Sequence, residues 1–412
     1  MKILNFGSAN IDYVYSLDHI VAVGETEHTD RLTVFPGGKG LNQSIAIAKA
    51  GARVYHAGCI GTDGEICADI LKEAGVDLSF VRFLQEKNGH AIIQVSREGE
   101  NSIFLYAGSN AAITREHMDE VLSHFGEGDL LLLQNEINNL SYIVKRAHEN
   151  GMKILFNPSP YNEVAAAIDL SCISYLMLNE VEGRAITGEE EPEGILASLT
   201  TRFPSLTVVL TLGRQGCILA KGKDRIPHPA YLVDTVDTTA AGDTFTGYFA
   251  AGLASGADLR TVLQNASCAS AIAVSRHGAA PSIPNREEVL AARSTLHLCT
   301  PKKEQTVRER TEKYIAANLQ TATLSGLAAI LGYSPVYTGS ILKRITGCSF
   351  KALLQEKRLA AFVRALTDTE EPIEVLMKQV GYENRSFFRR IFFEKYGKNP
   401  LEYRKAAKGE KG

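Results

Sequence analysis

Strand-like apolar runs alternate with helix-like runs along the first three quarters of this chain, and that alternation limits the folds it can adopt. Strands are predicted at residues 3–6, 55–60, 130–134 and 154–157, and helices at 65–74, 115–125 and 143–150. Such an order favours a mostly parallel, doubly wound sheet covered by helices. Two runs at 90–96 and 102–106 instead predict a β-hairpin, a candidate lid. The predicted fold class of this part is α/β.

Length and charge indicate a second domain. With 412 residues, of which 45% are hydrophobic, the chain exceeds the roughly 250–300 residues over which a single core grows. Residues 301–412 contain 21 Lys and Arg against 12 Asp and Glu, whereas residues 1–300 contain 23 against 35. A basic C-terminal segment in an otherwise acidic chain suggests that this segment binds a polyanion. Salt-bridged surface helices give the same count, so composition leaves both interpretations open.

Cysteine usage and the N-terminal residues indicate a protein of the cytoplasm. The seven cysteines have neither CxxC nor metal-ligand spacing, which is typical of small buried residues in a reducing compartment. Lys2 leads directly into an apolar strand and Asp12 follows soon after, so we expect no signal peptide. We expect no transmembrane helix either, because no apolar stretch approaches the roughly 20 residues needed to span a bilayer.

Two polar segments suggest a bed for a polyol. Asn10 and Asp12 follow the first predicted strand, at the end where open α/β sheets bind ligands. The segment 37–40, Gly-Gly-Lys-Gly, precedes a helix predicted at 43–50. Glycines there let a ligand lie against the backbone. The segment lacks the spacing of a Walker A loop, so we do not interpret it as a nucleotide cradle.

Residues 237–245, Asp-Thr-Thr-Ala-Ala-Gly-Asp-Thr-Phe, predict a catalytic helix start. Asp243 should lie in the first turn of a helix, where free N–H groups bind anions. A carboxylate there can take a proton from a hydroxyl while the N–H groups of Ala241, Gly242 and Asp243 hold the charge on a transferring phosphoryl group. An ordinary acidic first turn has the same pattern, so the segment alone leaves both interpretations open.

With these features, residues 1–293 resemble the ribokinase branch of the PfkB-type carbohydrate kinase family. The regions 37–51 and 237–245 match its two signatures, in the right order. The resemblance implies a ribokinase-like fold and ATP-dependent phosphorylation of ribose or a related furanose, with magnesium and potassium as cofactors. Leu41, which is bulkier than usual, Ser267, and His90 and Gln94 on the hairpin depart from the family pattern and bear on which sugar binds. We expect the side chains of His90 and Gln94 to lie on the solvent-exposed faces of the hairpin.

The resemblance also implies a role for individual residues, beginning with Asp243 as the base and Ala241 and Gly242 in the anion hole. The sugar-contacting positions are Asn10, Asp12, Gly38, Lys39, Gly40, Asn42 and Glu136. The positions expected to hold ATP are Asn179, Thr211, Gly213, Gly216, Gly242 and Ser267, with Glu182 associated with magnesium. The positions expected to hold potassium are Asp237, Thr239, Ala273, Arg276, Gly278 and Ser282.

After an expected linker at 294–305, residues 306–407 predict an all-α domain with two helix-turn-helix units. The first pairs helices at 324–331 and 335–344, and the second pairs helices at 373–380 and 385–395, with a helix at 351–366 between them. The endings Phe-Phe-Arg-Arg-Ile-Phe at 387–392 and Gly-Lys-Asn-Pro-Leu-Glu-Tyr-Arg at 397–404 make the segment resemble the AraC-type DNA-binding domain. Two recognition helices would face successive major grooves of double-stranded DNA. The side chains placed to reach phosphates or guanine edges are Lys343, Arg344, Arg385, Arg389 and Arg390.

The sequence leaves three functions open. The first is a bifunctional homodimer in which a sugar kinase is fused to a transcription regulator. The second is a regulator whose kinase fold serves only as a sugar and nucleotide receptor. The third is a metabolic kinase whose helical tail supports oligomerisation.

Overall fold

The computed structural model describes residues 1–29, 31–98, 100–299 and 301–407, without the side chains of 301–306 and Arg344. The chain divides into two compact units, Met1–Cys299 and Thr300–Gly412. None of the described helices combines the length and the apolarity needed to cross a bilayer.

The described part of the first unit is built on a nine-stranded sheet with the order β13-β12-β11-β10-β9-β8-β1-β4-β5. Its strands are β1 Ile3–Phe6, β4 Val54–Ile60, β5 Asp77–Phe83, β8 Leu130–Gln134, β9 Lys153–Asn157, β10 Tyr175–Asn179, β11 Thr207–Thr211, β12 Cys217–Lys221 and β13 Asp224–His228. Pairs from β5 to β11 are parallel, and β12 pairs antiparallel with both neighbours. The chain runs outward from β1 in both directions, which confirms the doubly wound sheet.

Helices cover both faces of this sheet. They are α1 Lys39–Lys49, α2 Glu65–Glu73, α3 Arg115–Leu122, α4 Leu140–Glu149, α5 Glu163–Ala166, α6 Glu180–Thr187, α7 Pro192–Arg202, α8 Ala241–Ala254, α9 Leu259–Val274 and α10 Arg286–Thr295. Alternate strand residues face the two layers: Ile3 packs in a core with α1, α8 and α9, whereas Leu4 and Phe6 pack in a core with α3, α4 and α7. The period of two is what a sheet buried on both faces requires.

A second sheet forms the lid, with the order β3-β2-β6-β7. Its strands are β2 Asn10–Leu17, β3 Arg31–Gly37, β6 Gly89–Ser96 and β7 Asn101–Tyr106. Strands β6 and β7 pair antiparallel, which confirms the predicted hairpin. The sequence prediction missed β2 and β3, since polar residues interrupt their apolar alternation. Asn10 and Asp12 therefore lie on a lid strand, whereas the prediction placed them in a segment after a strand.

Two helices, α1 and α8, carry predicted site residues in their first turns. Helix α1 begins at Lys39, four positions before the predicted start, so Lys39 and Asn42 belong to its first turn. Helix α8 begins at Ala241 and has Asp243 in its first turn, as predicted. Its N-cap residue Ala240 has a left-handed backbone with φ of 59°. Such a conformation costs a residue with a Cβ roughly 1–2 kcal/mol, so the surrounding fold imposes it.

The described part of the second unit, residues 301–407, is entirely helical between its turns. Its helices are α11 Pro301–Ala317, α12 Leu324–Leu331, α13 Pro335–Thr346, α14 Phe350–Asp368, α15 Ile373–Gln379, α16 Arg385–Tyr396 and α17 Pro400–Ala407. The pairs α12–α13 and α15–α16 form the two predicted helix-turn-helix units. Phe362 of α14 packs against Phe388 and Phe392 of α16 in the core of the second pair.

The segment expected to be a linker, residues 294–305, contains helical turns at both ends. Helix α10 extends to Thr295 and α11 starts at Pro301. Pro301 occupies the first position of α11. A proline at the first helical position loses no hydrogen bond, because the N–H there has no intrahelical acceptor.

Candidate active site

Asp243 is held by two amide side chains from helix α1. Its carboxylate is 8% exposed. Its Oδ2 accepts a hydrogen bond from Asn42 Nδ2 at 3.1 Å, and its Oδ1 accepts one from Gln43 Nε2 at 2.9 Å. Two donors from one rigid helix fix the plane of the carboxylate, so its free lone pairs have a defined direction.

A chain of buried amides continues behind Gln43. Gln134 Nε2 donates to Gln43 Oε1 at 2.7 Å and to Asn5 Oδ1 at 2.9 Å. Asn5 Nδ2 in turn donates to Ser44 Oγ, which lies 2.8 Å from His56 Nδ1. Burial lowers the pKa of His56 to about 4, so this end of the chain is a neutral imidazole. On the side away from Asp243, the Gln43 amide is thereby fixed by an uncharged hydrogen-bond network.

Asp12 lies against the glycine-rich segment. A Cβ added to Gly37 would come within 2.0 Å of Asp12 Oδ2, so a side chain at position 37 would displace the Asp12 carboxyl group. Burial, and then the carboxylates of Glu136 and Asp243, raise the pKa of Asp12 to about 7. Desolvation opposes the charged form, and the like charges add to that effect. The predicted sugar bed thus contains a carboxyl group that titrates near neutral pH.

The carboxamide of Asn10 is fixed by a residue that the sequence prediction missed. Asn110 Nδ2 donates to Asn10 Oδ1 at 2.7 Å, and Asn110 Oδ1 accepts from Ala9 N at 3.0 Å. A Cβ at Gly89 would meet the Asn110 amide at 2.0 Å. Asn110 is 100 positions from Asn10, so no local pattern could have identified this contact.

Glu136 and Lys39 form the charged side of the site. Lys39 N donates to Glu136 Oε2 at 2.9 Å, and Ser8 Oγ donates to the same oxygen. Burial raises the pKa of Glu136, and the Lys39 ammonium opposes that shift. The Asp243 carboxylate raises the pKa of Lys39, with smaller contributions from Glu136 and Glu182 in the same direction. Lys39 is therefore a fixed positive charge among carboxylates.

The first turn of α8 offers free N–H groups. The Ala241 N–H is occupied by a long bond of 3.3 Å to Thr238 O, and Thr244 N donates to Ala240 O. Within the described residues, the N–H groups of Gly242 and Asp243 have no acceptor. A Cβ at Gly242 would meet nothing within 4 Å, so the space beside its N–H is open. Of the three donors predicted, Gly242 and Asp243 are available to an anion and Ala241 is already engaged.

A cleft of about 200 Å³ joins these groups to the predicted nucleotide side. Lys39, Asp243 and the α8 start line one part of the cleft, and Asn179, Glu182 and Thr211 line the other. Asn179 Oδ1 accepts from Glu182 N at 2.9 Å, and Glu182 Oε2 accepts from Asn179 N at 3.0 Å. This capping box at the start of α6 fixes both side chains at the cleft wall.

Three other residues predicted to hold ATP lie outside the lining of this cleft. Gly213 and Gly216 flank the turn between β11 and β12, and a Cβ at Gly216 would come within 2.1 Å of His228 O. Ser267 is buried on α9 with its Oγ 3.8 Å from Cys217 Sγ. Their nucleotide roles stay predictions.

Two of the predicted potassium positions, Thr239 and Gly278, contact Asp237. Its Oδ1 accepts from Thr239 N at 2.8 Å and its Oδ2 from Gly278 N at 3.0 Å. Burial opposes ionisation, but the hydrogen bonds from Thr239 and Gly278 prevail and lower the pKa of Asp237. Ser282 Oγ donates to Ala279 O at 2.7 Å. The Arg276 guanidinium instead pairs with Glu288, and the Arg276 N–H donates to Ala273 O.

His90 and Gln94 are half-buried, so neither is the fully solvated hairpin residue that the sequence predicts. The His90 ring packs between Tyr13, at 5.7 Å between centroids, and Tyr106, at 5.0 Å. Gln94 Oε1 accepts from Val21 N at 3.0 Å and ties the hairpin to the chain after β2. Both residues therefore stabilise the lid, because aromatic packing and a long-range hydrogen bond replace contacts with water.

In the second unit, four of the five predicted DNA-contacting side chains can be placed. Lys343 on α13 and Arg389 on α16 are exposed. Arg385 pairs with Glu374 at 2.8 Å, and Arg390 lies 3.9 Å from Glu394 and over the Phe387 ring. The side chain of Arg344 lies outside the described residues. Arg389 has no ion pair with any residue that the structure describes. It can therefore bind a phosphate or a base without first breaking such a pair.

A family model described as pfkB family carbohydrate kinase matches residues 1–286. This chain belongs to that family. A model of a helix-turn-helix domain matches residues 327–406 of the same chain. The protein is thus a carbohydrate kinase that carries an AraC-type helix-turn-helix DNA-binding domain.

Curated relatives of this carbohydrate kinase include ribokinases. That of Haemophilus influenzae is 34% identical over 294 residues, which cover 69% of this chain and 95% of the relative. That of Staphylococcus aureus is 33% identical, covering 70% and 98%. Among solved structures, ribokinase from Thermotoga maritima is 33% identical with a TM-score of 0.64, covering 72% of this chain and 100% of that chain. Arabidopsis thaliana ribokinase, complexed with ribose and ATP, is 29% identical with a TM-score of 0.63, covering 71% and 98%.

Proposed function

We propose that this kinase transfers the terminal phosphoryl group of ATP to a hydroxyl of ribose or a related furanose. The observation that supports this most directly is the shared cleft: the Asp243 carboxylate, the Gly242 N–H and the Lys39 side chain all line it. A base, an anion site and a fixed cation within one small cleft are what phosphoryl transfer to an alcohol needs. The ribokinase solved with ribose and ATP supports the choice of substrates.

Asp243 takes the proton of the sugar hydroxyl while the hydroxyl oxygen attacks the terminal phosphorus of ATP, and the bond from that phosphorus to the bridging oxygen breaks, so that ADP leaves with the negative charge. The amides of Asn42 and Gln43 keep the carboxylate facing the cleft. The Gly242 N–H donates to the phosphoryl oxygens as charge builds on them, and Lys39 adds positive potential. Because these donors are fixed before the reaction, they need no reorganisation during it.

The sugar bed orients the substrate. Asp12 and Glu136 supply oxygen acceptors, and the Asn10 amide nitrogen and Lys39 supply donors, a set suited to several hydroxyls in fixed directions. Asp12 binds a sugar hydroxyl as an acceptor when it is ionised. Closure of the lid strands excludes water, which competes with the sugar for the phosphoryl group.

The residues of the cleft fit ATP with magnesium. Glu182 is 6% exposed and uses Oε2 in the capping box, so its other oxygen is the atom available toward a hydrated ion. Magnesium prefers oxygen ligands and retains several waters, so one carboxylate with phosphate oxygens suffices. When bound, the ion neutralises charge on the phosphates of ATP.

The Asp237 loop fits potassium by its chemistry. Asp237 is anionic at neutral pH because the N–H groups of Thr239 and Gly278 lower its pKa, and the remaining expected donors are carbonyl and hydroxyl oxygens. Hard cations prefer oxygen ligands. A cation there would order the segment that leads into α8, because Asp237 is only a few residues from the Gly242 N–H.

We also propose a cytoplasmic homodimer in which sugar binding regulates transcription. The apolar residues Ile103, Phe104, Leu105 and Tyr106 of the lid edge strand β7 are 52–55% exposed. An exposed apolar edge strand is usually covered by a partner, and a second copy of the lid is the occupant proposed here. A dimer would present two DNA-binding domains whose arrangement follows lid closure.

An ADP-release assay over a panel of pentoses, hexoses and nucleosides tests the enzymatic proposal. We expect turnover with ribose or a related furanose that requires Mg²⁺ and rises with K⁺. If binding of a sugar is measurable by calorimetry but no panel member releases ADP, the chain is a sugar-sensing regulator that uses the kinase fold as a receptor. The intact arrangement around Asp243 favours the enzyme.

A further inference from the structure

A second cavity of about 310 Å³ lies in the first unit, away from the phosphoryl cleft. Its walls are the C-terminal ends of α1 and α8, the segment 50–53 and the first turns of α10. Its volume is at the lower end of the range found for small-molecule sites. Among the residues that the structure describes, none lines both this cavity and the cleft that holds Asp243.

The charge of this cavity differs from that of the unit around it. Residues 1–300 carry 35 acidic against 23 basic residues. Yet the described lining contains Arg53 and Arg286 and neither aspartate nor glutamate. Small residues, such as Ala251 and Gly252, form much of the remaining wall, together with the apolar Val289 and Leu290.

The guanidinium of Arg286 is uncommitted. Among the residues that the structure describes, Arg286 has neither an ion pair nor a side-chain hydrogen bond. Its aliphatic part lies over Gly51, where an added Cβ would meet its Cδ at 3.3 Å. Arg53, by contrast, pairs with Asp77 at 3.2 Å and stacks over the Tyr55 ring at 4.8 Å. Arg286 is therefore the group that a ligand would engage first.

The arginine is not needed to cap the helices that end here. The carbonyls of Ala46 and Ala48 in α1 accept from Ala50 N and Gly51 N. In α8, Ala251 O accepts from Ser255 N. The usual structural role for a cation at helix C-termini is thus already filled by backbone groups.

We propose that this cavity binds a small organic anion, with a carboxylate or phosphate on Arg286 and an apolar body against the exposed side chain of Leu290. The planar guanidinium pairs with either oxyanion through two parallel hydrogen bonds. The negative ends of α1 and α8 oppose an anion by up to about fivefold each, whereas a charge-assisted arginine contact favours it by roughly 10- to 100-fold. The anion therefore lies on the α10 side of the cavity.

The cavity lies at the opposite ends of the two helices that carry catalytic-site residues. Helices α1 and α8 carry Asn42 and Asp243 near their N-termini and end at this cavity. They pack so closely that a Cβ at Gly247 would come within 2.4 Å of Ala46 Cβ. A ligand held on the α10 side of this cavity therefore lies across from the far ends of the two helices that join the sugar bed to the base.

Ligand-observed NMR on the full chain tests the proposal, with benzoate and phenyl phosphate as probes and neutral benzamide as the matched control. For ligands of this size we expect dissociation constants of the order of 1 mM for one or both anions, and at least about tenfold weaker binding of benzamide. Saturation with ADP and Mg²⁺ should not displace the anion, which separates this cavity from the phosphoryl cleft. A signal from benzoate alone or phenyl phosphate alone identifies which oxyanion the site prefers.

Variants locate the binding. Arg286→Leu keeps the side-chain bulk and should weaken anion binding by about 10- to 100-fold, while Arg286→Lys should retain part of it. Arg260→Leu removes an exposed arginine of α9 outside the cavity and should have no effect. The proposal is overturned if neither anion binds, if ADP displaces both, or if the Arg286→Leu chain binds them as tightly as the parent chain.

Discussion

Asp12→Asn should stabilise the first unit while weakening the kinase, and the size of the effect follows from the position of Asp12. Burial and the carboxylates of Glu136 and Asp243 raise its pKa from 3.8 to about 7. At 1.36 kcal/mol per pKa unit, holding Asp12 ionised in the folded chain costs up to about 4 kcal/mol at alkaline pH. An amide of the same shape removes that cost.

The sign of the pH dependence is fixed by the direction of the shift. Because the folded-state pKa is raised, the folded chain binds the proton more tightly, so Asp12 lowers stability progressively as pH rises from about 4 to 7. The advantage of Asp12→Asn should therefore grow by about 2 kcal/mol between about pH 5.5 and 8.5. At about 2 °C per kcal/mol, the variant should melt roughly 8 °C above the parent at the higher pH.

Thermal melting of the first-unit transition at the two pH values measures this, with sugar kinetics in parallel. We expect kcat/KM for the sugar to fall by about 10- to 100-fold, because a charged acceptor for a hydroxyl is lost. The reasoning is refuted if the variant melts below the parent at alkaline pH, or if the difference between the two does not change with pH.

Three further changes test other parts of the structure. Gln43→Met removes one of the two hydrogen-bond donors to the Asp243 carboxylate. It should lower kcat by about 10- to 100-fold with a smaller change in sugar KM, whereas the exposed control Gln85→Met should change neither. Equal kinetics of the two variants would contradict the role of Gln43 in positioning Asp243. Leu105→Glu puts a charge on the exposed lid strand and should convert a dimer to monomers in sedimentation analysis, and an unchanged mass would exclude that face as the interface. Arg389→Ala should weaken binding to double-stranded DNA and reduce the salt dependence of that binding by about one counterion, with Arg310→Ala as the control. If the binding constant of the variant depends on salt as steeply as that of the parent, Arg389 does not contact the DNA.

The central strands were predictable because their signal is local. Strands β1 and β8 have the predicted bounds, since each is an apolar run between polar or glycine residues. The lid strands β2 and β3 were missed, because a small two-sided sheet with polar and aromatic residues on both faces lacks clean alternation. The position of Asp243 in the first turn followed from the small residues before it, whereas the left-handed backbone of Ala240 could not be foreseen, as alanine disfavours it.

Contacts between distant positions explain what the sequence could not provide at the site. Asp243 and Gln43 are 200 positions apart, and Gln134 and Gln43 are 91 apart. A glutamine in an amphipathic helix is ordinarily a solvated residue, so only the packing of α1 against α8 shows that Gln43 is buried. Asn110 behind Asn10 is the same case.

The kinase activity of Asp243→Asn tests the central claim most directly. The asparagine keeps the shape of the side chain but cannot accept the proton of the sugar hydroxyl, so kcat should fall by about 10²- to 10⁴-fold with sugar and ATP binding largely retained. Asp69→Asn, an exposed change on α2, serves as the matched control and should leave kcat unchanged. Turnover by a folded Asp243→Asn chain within about tenfold of the control would contradict the assignment of Asp243 as the base.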